Sequence, residues 1–254
     1  MSYQTLILEN LGPVLLIRMN EPAVLNALSE ASVEELSDAL RVAADSYRAV
    51  VLTGAGPSFC AGARLSTDIP EDLGLFLRTH LNPLIDQIRA MPIPCIHAVR
   101  GACAGGGSSL ALAGDIIVAG EGAYFQQVFV RIGLIPDCGA FHMLVRTIGR
   151  VRAMQMMLLG ERLPAPKALG WGLVSRVVPD ADVETVAIEI ARTLAAGPRE
   201  SLAAIRQLAW AALDDTWDRS LEHETVTQSA IGRTFNAREG ISAFLEKRPA
   251  KFAE

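Results

Sequence analysis

An α/β fold is expected, with strands and helices alternating over residues 29–120 and a mainly helical remainder. Three observations predict it. Short runs such as Ala49–Thr53 and Cys95–Val99 are mainly apolar and are followed by glycine or arginine-glycine, as buried parallel strands are. Between them lie segments with apolar residues at helical spacing. Beyond residue 138 the helical pattern dominates. Such alternation implies right-handed crossover units.

The elements follow in order. Thr5–Glu9 and Val14–Met19 read as strands around the turn residues Asn10-Leu11-Gly12-Pro13. Ser29 caps a helix carrying Val33, Leu36, Leu40 and Ala43 on one face. Ser32 stands where a strict capping box would have Glu or Gln, so no such box is expected. Ala49–Thr53 is a strand, Leu73–Ala90 a helix ended by Pro92 and Pro94, and Cys95–Val99 a strand ended at Gly101. Ser108–Ala113 is a short helix entered from a glycine loop, and Asp115–Ala119 a strand. Helices are predicted over Phe141–Ile148, Val151–Leu159 and Pro164–Leu169, then a strand over Val174–Val178. Val183–Leu194, Ser201–Leu213 and Leu221–Phe235 complete a helical tail. No internal repeat or flexible linker is visible.

Composition narrows the function. The chain has 254 residues, 50% hydrophobic and 20% charged, too apolar for a disordered segment. Its two longest stretches free of Asp, Glu, Lys and Arg, Ala49–Ala63 and Gly101–Gly114, are short and glycine-rich, so neither reads as a membrane span. The net charge of −5, with no basic block, argues against nucleic-acid binding. Cys60, Cys95, Cys103 and Cys138 lack metal-ligand spacing and read as buried thiols. No metal site is expected. Met1–Asn10 lacks a basic n-region and an apolar h-region, so a cytoplasmic protein is expected.

Three segments carry chemistry. Ser58-Phe59-Cys60-Ala61-Gly62-Ala63-Arg64-Leu65 follows one strand, and Gly101-Ala102-Cys103-Ala104-Gly105-Gly106-Gly107-Ser108-Ser109-Leu110 follows the next. Small residues let backbone N–H groups approach a ligand, and the second loop also opens a helix. Two N–H groups converging on one oxygen make an oxyanion hole. The alternatives are a phosphate cradle or plain tight packing, but neither the dinucleotide fingerprint nor a P-loop occurs. The G-x-S-x-G elbow is absent too, which disfavours Ser108 or Ser109 as nucleophile. The third segment is Ile132-Gly133-Leu134-Ile135-Pro136-Asp137-Cys138-Gly139. Asp137 reads structurally as the N-cap of a helix starting at Cys138. Its neighbours Phe129, Ile135, Cys138 and Phe141 are apolar, so it also reads as a desolvated carboxylate able to move protons near neutral pH. His97 reads as a satisfied core residue, and His142 as a minor candidate for the pocket wall.

Taken together, these segments resemble the crotonase superfamily, the enoyl-CoA hydratases and isomerases. Asn20 to Leu28 is similar to its N-terminal signature, Phe59–Ala63 to its first oxyanion loop and Gly101–Leu110 to its second. Ala168–Val174 and Glu239–Arg248 resemble its later signatures. The resemblance implies a spiral of ββα units over residues 1–196, with the acyl-CoA site, and a helical region over 197–254 that builds a homotrimer or a dimer of trimers. It implies an acyl-CoA thioester as substrate, with coenzyme A part of that substrate and no other cofactor. By motif position, the oxyanion donors are the N–H groups of Ala63 and Gly106, and Asp137 is the acid/base. Ala23, Leu25, Ala61, Gly62, Leu65, Gly105, Ser109, Phe129, Pro136, Phe244 and Lys247 are the implied substrate contacts.

The chain departs from the hydratase pattern. Ser109 and Phe129 occupy the two positions where hydratases carry glutamates, while Asp137 matches the acidic residue of isomerase branches, most like the bacterial phenylacetate-pathway isomerases. Ala23-Val24 replace a usual basic residue, for which Lys247, Arg248 or Lys251 could substitute. Ala140 stands where glycine is usual. The expectation is therefore an acyl-CoA isomerase that shifts a double bond or rearranges a ring epoxide. Its competitors are a hydratase recruiting Asp68, Glu71 or Glu121, and a non-catalytic acyl-CoA-binding protein.

Overall fold

The computed structural model describes residues 3–67 and 71–253. Its strands are β1 (Leu6–Asn10), β2 (Val14–Met19), β3 (Ala49–Gly54), β4 (Cys95–Val99), β5 (Ala102–Ala104), β6 (Ile116–Gly120), β7 (Tyr124–Gln126), β8 (Arg162–Pro164) and β9 (Arg176–Val178). Its helices are α1 (Glu30–Ser46), α2 (Leu73–Phe76), α3 (Asn82–Ala90), α4 (Gly106–Leu112), α5 (Ala140–Leu159), α6 (Ala165–Trp171), α7 (Val183–Ala195), α8 (Arg199–Ala211), α9 (Trp217–Ile231) and α10 (Phe235–Glu246).

The main sheet has the order β1-β2-β3-β4-β6-β9, antiparallel only between β1 and β2. Both faces are covered. Leu15, Ile17, Val50, Leu52 and Val99 face a core shared with α1, α3 and α4. Their alternates Leu16, Val51, Ile96 and Val118 pack on Val183, Ala187, Ala191 and Ala195 of α7. Burial on both faces is why these strands are apolar at most positions, with Arg18 in β2 and His97 in β4 as exceptions.

A second sheet, β5-β7-β8, lies beyond the ends of the main strands. Parallel bridges Leu28–Ala63 and Cys60–Cys103 continue it. The chain therefore repeats one turn: a main-sheet strand, a short second-sheet segment, then a helix. β2, Leu28 and α1 form one turn; β3, Cys60 and α3 the next; then β4, β5 and α4; then β6, β7 and α5. This is the ββα spiral, and it exists without any sequence repeat.

Several local expectations change. Ser29 and Ser32 do form a reciprocal capping box: the Ser29 N–H donates to Ser32 Oγ (2.8 Å), and the Ser32 N–H to Ser29 Oγ (3.3 Å). A second serine hydroxyl does the work expected of Glu. The helix expected over Leu73–Ala90 contains a π turn, Leu77–Leu81, where the Asn82 N–H reaches back to Leu77 O. Pro83, next in the chain, has no N–H to give and the wider turn accommodates it. Gly149, at φ 77°, splits α5 between the two segments predicted there. The helix expected over Leu221–Phe235 is two: α9 ends at Ile231, and Thr234 caps α10 by accepting from the Ala237 N–H.

The tail is tied to the core by charged groups. The boundary expected at 196/197 falls between α7 and α8, yet α8 is fastened to the core. Arg206 of α8 donates to Asp115 Oδ2 (2.6 Å), to Ile88 O (2.8 Å) and to Met91 O. It thereby reinforces the C-terminal end of α3, where Ile88 O already accepts from the Met91 N–H (3.3 Å). Asp115 also accepts from the Cys95 N–H at the start of β4 (2.7 Å). Arg206→Ala leaves a largely buried carboxylate unpaired and should lower the unfolding free energy by about 3–5 kcal/mol. Arg41→Ala, at an exposed ion pair with Asp38, should cost less than about 1 kcal/mol. Urea titration of the two variants measures both.

Candidate active site

The site lies where the two loops after β3 and β4 meet. The Cys60 N–H donates to Ala102 O (3.2 Å) and the Ala104 N–H to Cys60 O (3.0 Å). No side chain fits between these backbones. A Cβ on Gly101 would lie 1.9 Å from Pro57 O, and one on Gly107 would lie 2.4 Å from Cys60 O. Behind the first loop, the buried Asn26 side chain donates to Ala55 O (3.0 Å) and Ser58 O (2.9 Å) and accepts from the Glu21 N–H. The Leu28 N–H donates to Gly62 O and the Arg64 N–H to Leu28 O, both at 2.8 Å.

That pairing leaves the Ala63 N–H between them without a backbone acceptor among the described residues. Gly106 is the first residue of α4, so its N–H has no acceptor within the helix either. The two groups are neighbours across the junction. A Cβ built on Gly106 would sit 3.9 Å from Ala63 N, 3.9 Å from Asp137 Oδ1 and 3.8 Å from Cys138 Sγ. Two free N–H groups and one carboxylate thus border a single small space.

Asp137 does not cap α5. The helix starts at Ala140 and its N-cap is Gly139, with no side-chain cap. The two-residue difference arises because Cys138 (φ 52°) and Gly139 (φ 78°) both adopt left-handed backbone. The Ala140 N–H bonds the Asp137 carbonyl, which also accepts from Ser109 Oγ (2.9 Å). Asp137 is thereby held by its backbone, and its Oδ1 is buried without a hydrogen-bond partner. Burial raises the carboxyl pKa above its ordinary value, and the Cys138 thiol beside it pulls in the opposite direction.

The other expected contacts divide into three groups. Gly62 and Gly105 pack against each other at the loop junction, Ala61 donates its N–H to Leu25 O, and Ser109, Phe129 and Pro136 are buried around Asp137 or its loop. Ala23, Leu25 and Leu65 are exposed on the outer side of the first loop. Phe244 and Lys247 are not brought to the site within this chain. Their helix, α10, is anchored through Asn236 to Glu200, and Asn236 also accepts from the Ala253 N–H. Arg48, which precedes β3, donates to Ala253 O. That is the end of the sheet where β3 begins, whereas the loops follow its other end. Of the cations considered for a phosphate, Arg248 is already paired with Glu239 and Glu246.

Of the alternative carboxylates, Glu71 and Glu121 are exposed and share no interaction with Asp137, and Asp68 lies outside the described residues. His97 is a core residue as expected: its Nδ1 faces Ala111 O (3.0 Å), and burial lowers its pKa to about 4. The sequence reading missed the position of Cys138 at the same small space as Asp137. It also missed a cavity of about 270 Å³ on the far side of Cys138. No motif marks that cavity, because its walls come from three separate helices.

No helix among the described residues is long and apolar enough to cross a membrane. Residues 9–254 match the family model described as enoyl-CoA hydratase/isomerase. A Rhodobacter capsulatus protein named probable enoyl-CoA hydratase is 41% identical, with 99% of each chain covered. The 1,2-epoxyphenylacetyl-CoA isomerase of Escherichia coli K12 is 39% identical, with 94% of each chain covered. A crystal structure of an enoyl-CoA hydratase from Polaromonas sp. JS666 superimposes with a TM-score of 0.93 at 34% identity, covering 98% of this chain and 99% of that one. The architecture is the crotonase fold, and the chain belongs to the enoyl-CoA hydratase/isomerase family.

Proposed function

We propose that the protein is an acyl-CoA isomerase in which Asp137 carries one proton between two carbons of a thioester enolate. The observation that carries this is the lone buried carboxylate oxygen, Asp137 Oδ1, beside the space shared with the Ala63 and Gly106 N–H groups. With a thioester oxygen on those N–H groups, Asp137 removes a proton from the carbon next to the carbonyl. The electron pair moves onto the oxygen, giving a dienolate that the two N–H groups stabilise. The protonated Asp137 returns the proton at the carbon two positions further on, and the double bond ends conjugated with the thioester. One proton leaves and one returns, so the step needs neither a second carboxylate nor a redox partner. Rearranging a ring epoxide of a phenylacetyl thioester, whose six-membered ring has lost its aromaticity to the epoxide, would draw on the same two N–H groups at the thioester oxygen.

A hydratase is the second reading, favoured by the name of the 41% identical relative. It needs groups that deliver water, and Ser109 and Phe129 do not suit that task. The Ser109 hydroxyl is committed to the Asp137 carbonyl.

Assembly belongs to the same proposal. α9 buries none of its residues within the chain, and Trp217, Phe235, Phe244 and Leu245 are each more than half exposed. A homotrimer would cover these surfaces, and a neighbouring copy would bring its Phe244 and Lys247 to the site. Sedimentation equilibrium should give a trimer or hexamer; a monomer at working concentration would refute this.

Asp137→Asn should abolish isomerisation of 3-enoyl-CoA esters and exchange of substrate protons with deuterated water, while acyl-CoA binding persists. In the unsubstituted protein, kcat/KM should fall as pH drops, because the ionised carboxylate is the base. The fall should centre above the ordinary carboxylate pKa, since burial raises this one. Rapid hydration of crotonyl-CoA without isomerisation would favour the second reading.

Gly106→Ala separates the fold from the chemistry. The added methyl meets its neighbours at 3.8–3.9 Å, ordinary contact distances, so thermal stability should hold. It occupies the space shared by the donors and the carboxylate, so turnover should fall by roughly 100-fold or more. Unchanged turnover would place the reacting atoms elsewhere.

A further inference from the structure

We infer that Cys138 is a positioning residue for Asp137: its thiol is the donor that steadies the neighbouring carboxylate in its ionised form. This rests on the reading of Asp137 as the proton carrier and names what keeps that group fit for the task.

The backbone gives the first reason. Cys138 has φ 52°, in the left-handed region that glycine enters freely and a residue with a side chain enters at a cost. Gly139 beside it, at φ 78°, is the residue type such a turn calls for. A buried side chain held in strained backbone next to a reacting group points to a task for that side chain. Its sulfur is also in the right place. Cys138 Sγ lies 3.8 Å, and Asp137 Oδ1 3.9 Å, from one and the same point, the position of a Cβ on Gly106.

The hydrogen bonds give the second reason. Two other buried thiols are spent on backbone carbonyls: Cys95 donates to Ile93 O (3.6 Å) and Cys103 to Gly107 O (3.5 Å). No carbonyl among the described residues takes the Cys138 proton, and its side-chain partner is Asp137. Asp137 in turn has no cationic partner among the described residues, and its Oδ1 is buried and unbonded. A carboxylate ionised in that setting needs a donor. A thiol is a weak one, which steadies the charge without making the base too feeble to take a proton.

The electrostatic surroundings agree. Burial raises the Asp137 carboxyl pKa, the Cys138 thiol opposes it, and no charged side chain among the described residues contributes. Of its neighbours on α4, Gly106 and Ser109, neither titrates. His142 of α5 is paired with Asp214. Cys60, the other thiol that acts on Cys138, is pushed up to about 12 by burial and stays neutral. Burial and the adjacent carboxylate push the Cys138 thiol up as well, so it remains a donor and does not compete as a base.

Infrared spectra and pH profiles test this together. The spectrum of the unsubstituted protein minus that of Cys138→Ala isolates the Cys138 S–H stretch. That band should sit at lower frequency while Asp137 is ionised, and should rise on acidification and in Asp137→Ala. In turnover of 3-enoyl-CoA esters, Cys138→Ala should move the acid half-point of kcat/KM up by about 0.5–1 pH unit, because loss of the donor leaves burial unopposed. Cys138→Gly, which also relieves the left-handed strain, should move it the same way. Cys138→Ser, which restores a donor, should bring it back. An S–H band indifferent to the Asp137 carboxylate would overturn the role. So would a fall in turnover at every pH with the half-point unmoved, the result of packing alone. A band that follows Asp137 in a protein without isomerase activity would support the contact and defeat the proton-carrier reading instead.

Discussion

Backbone meets backbone where the loops after β3 and β4 cross, and the rest of the molecule is arranged around that contact. The exchange of hydrogen bonds between Cys60 and its partners Ala102 and Ala104 extends the second sheet through the junction. It also dictates residue size, since Gly101 and Gly107 have no room for a methyl group. The same approach brings the Ala63 nitrogen within 3.9 Å of where a Cβ on Gly106 would lie. The bonds that hold Gly62 O and the Arg64 N–H against Leu28 are what leave the intervening Ala63 N–H uncommitted.

The arginines carry a comparable burden at the periphery. Arg18 forms a two-pronged pair with Glu184 near the start of α7 (2.9 and 2.7 Å), and Arg48 donates to Ala195 O and Gly197 O at its end. α7 is thereby clamped at both ends across the alanine face that lies on the sheet. Arg206 does the same for the end of α3 from the tail side. Through Arg48, the final residues are drawn to the end of the sheet remote from the loops. The direction of α10 follows from that anchor, and it explains why Phe244 stays in solvent within one chain.

What was legible in the residues follows from length and burial. β2 and β4 are apolar apart from one residue each, Arg18 and His97, and their bounds could be read directly. β5, β7 and β8 span three residues each, too short for any period to show, and they exist because neighbouring backbones pair with them. No residue period marks the ββα spiral, because its turns share geometry, not residues; it was expected only through the resemblance of the loop segments to the crotonase superfamily. Asp137 was found because a loop signature points to it, but its capping role was misjudged. A carboxylate before a helix reads as a cap only when the intervening backbone is right-handed, and Cys138 and Gly139 are not. Arg206 was invisible as a core residue, since a charged side chain on a helix ordinarily reads as its wet face.

A single carboxylate can serve this site only if its burial is limited. Full exclusion of water would keep Asp137 protonated and useless as a base; full exposure would leave it too weak a base to take a proton from carbon. The structure sets it between these limits. Oδ1 is sealed and unpaired, while the residue as a whole is half-buried and its backbone carbonyl is fixed by the Ser109 hydroxyl and the Ala140 N–H. Ser109 stands where the resemblance places a hydratase glutamate, and its hydroxyl donates to the Asp137 carbonyl at 2.9 Å. A second carboxylate there would repel the first and raise its pKa further. A serine at that position, unlike a glutamate, leaves the ionisation of Asp137 without a competing negative charge.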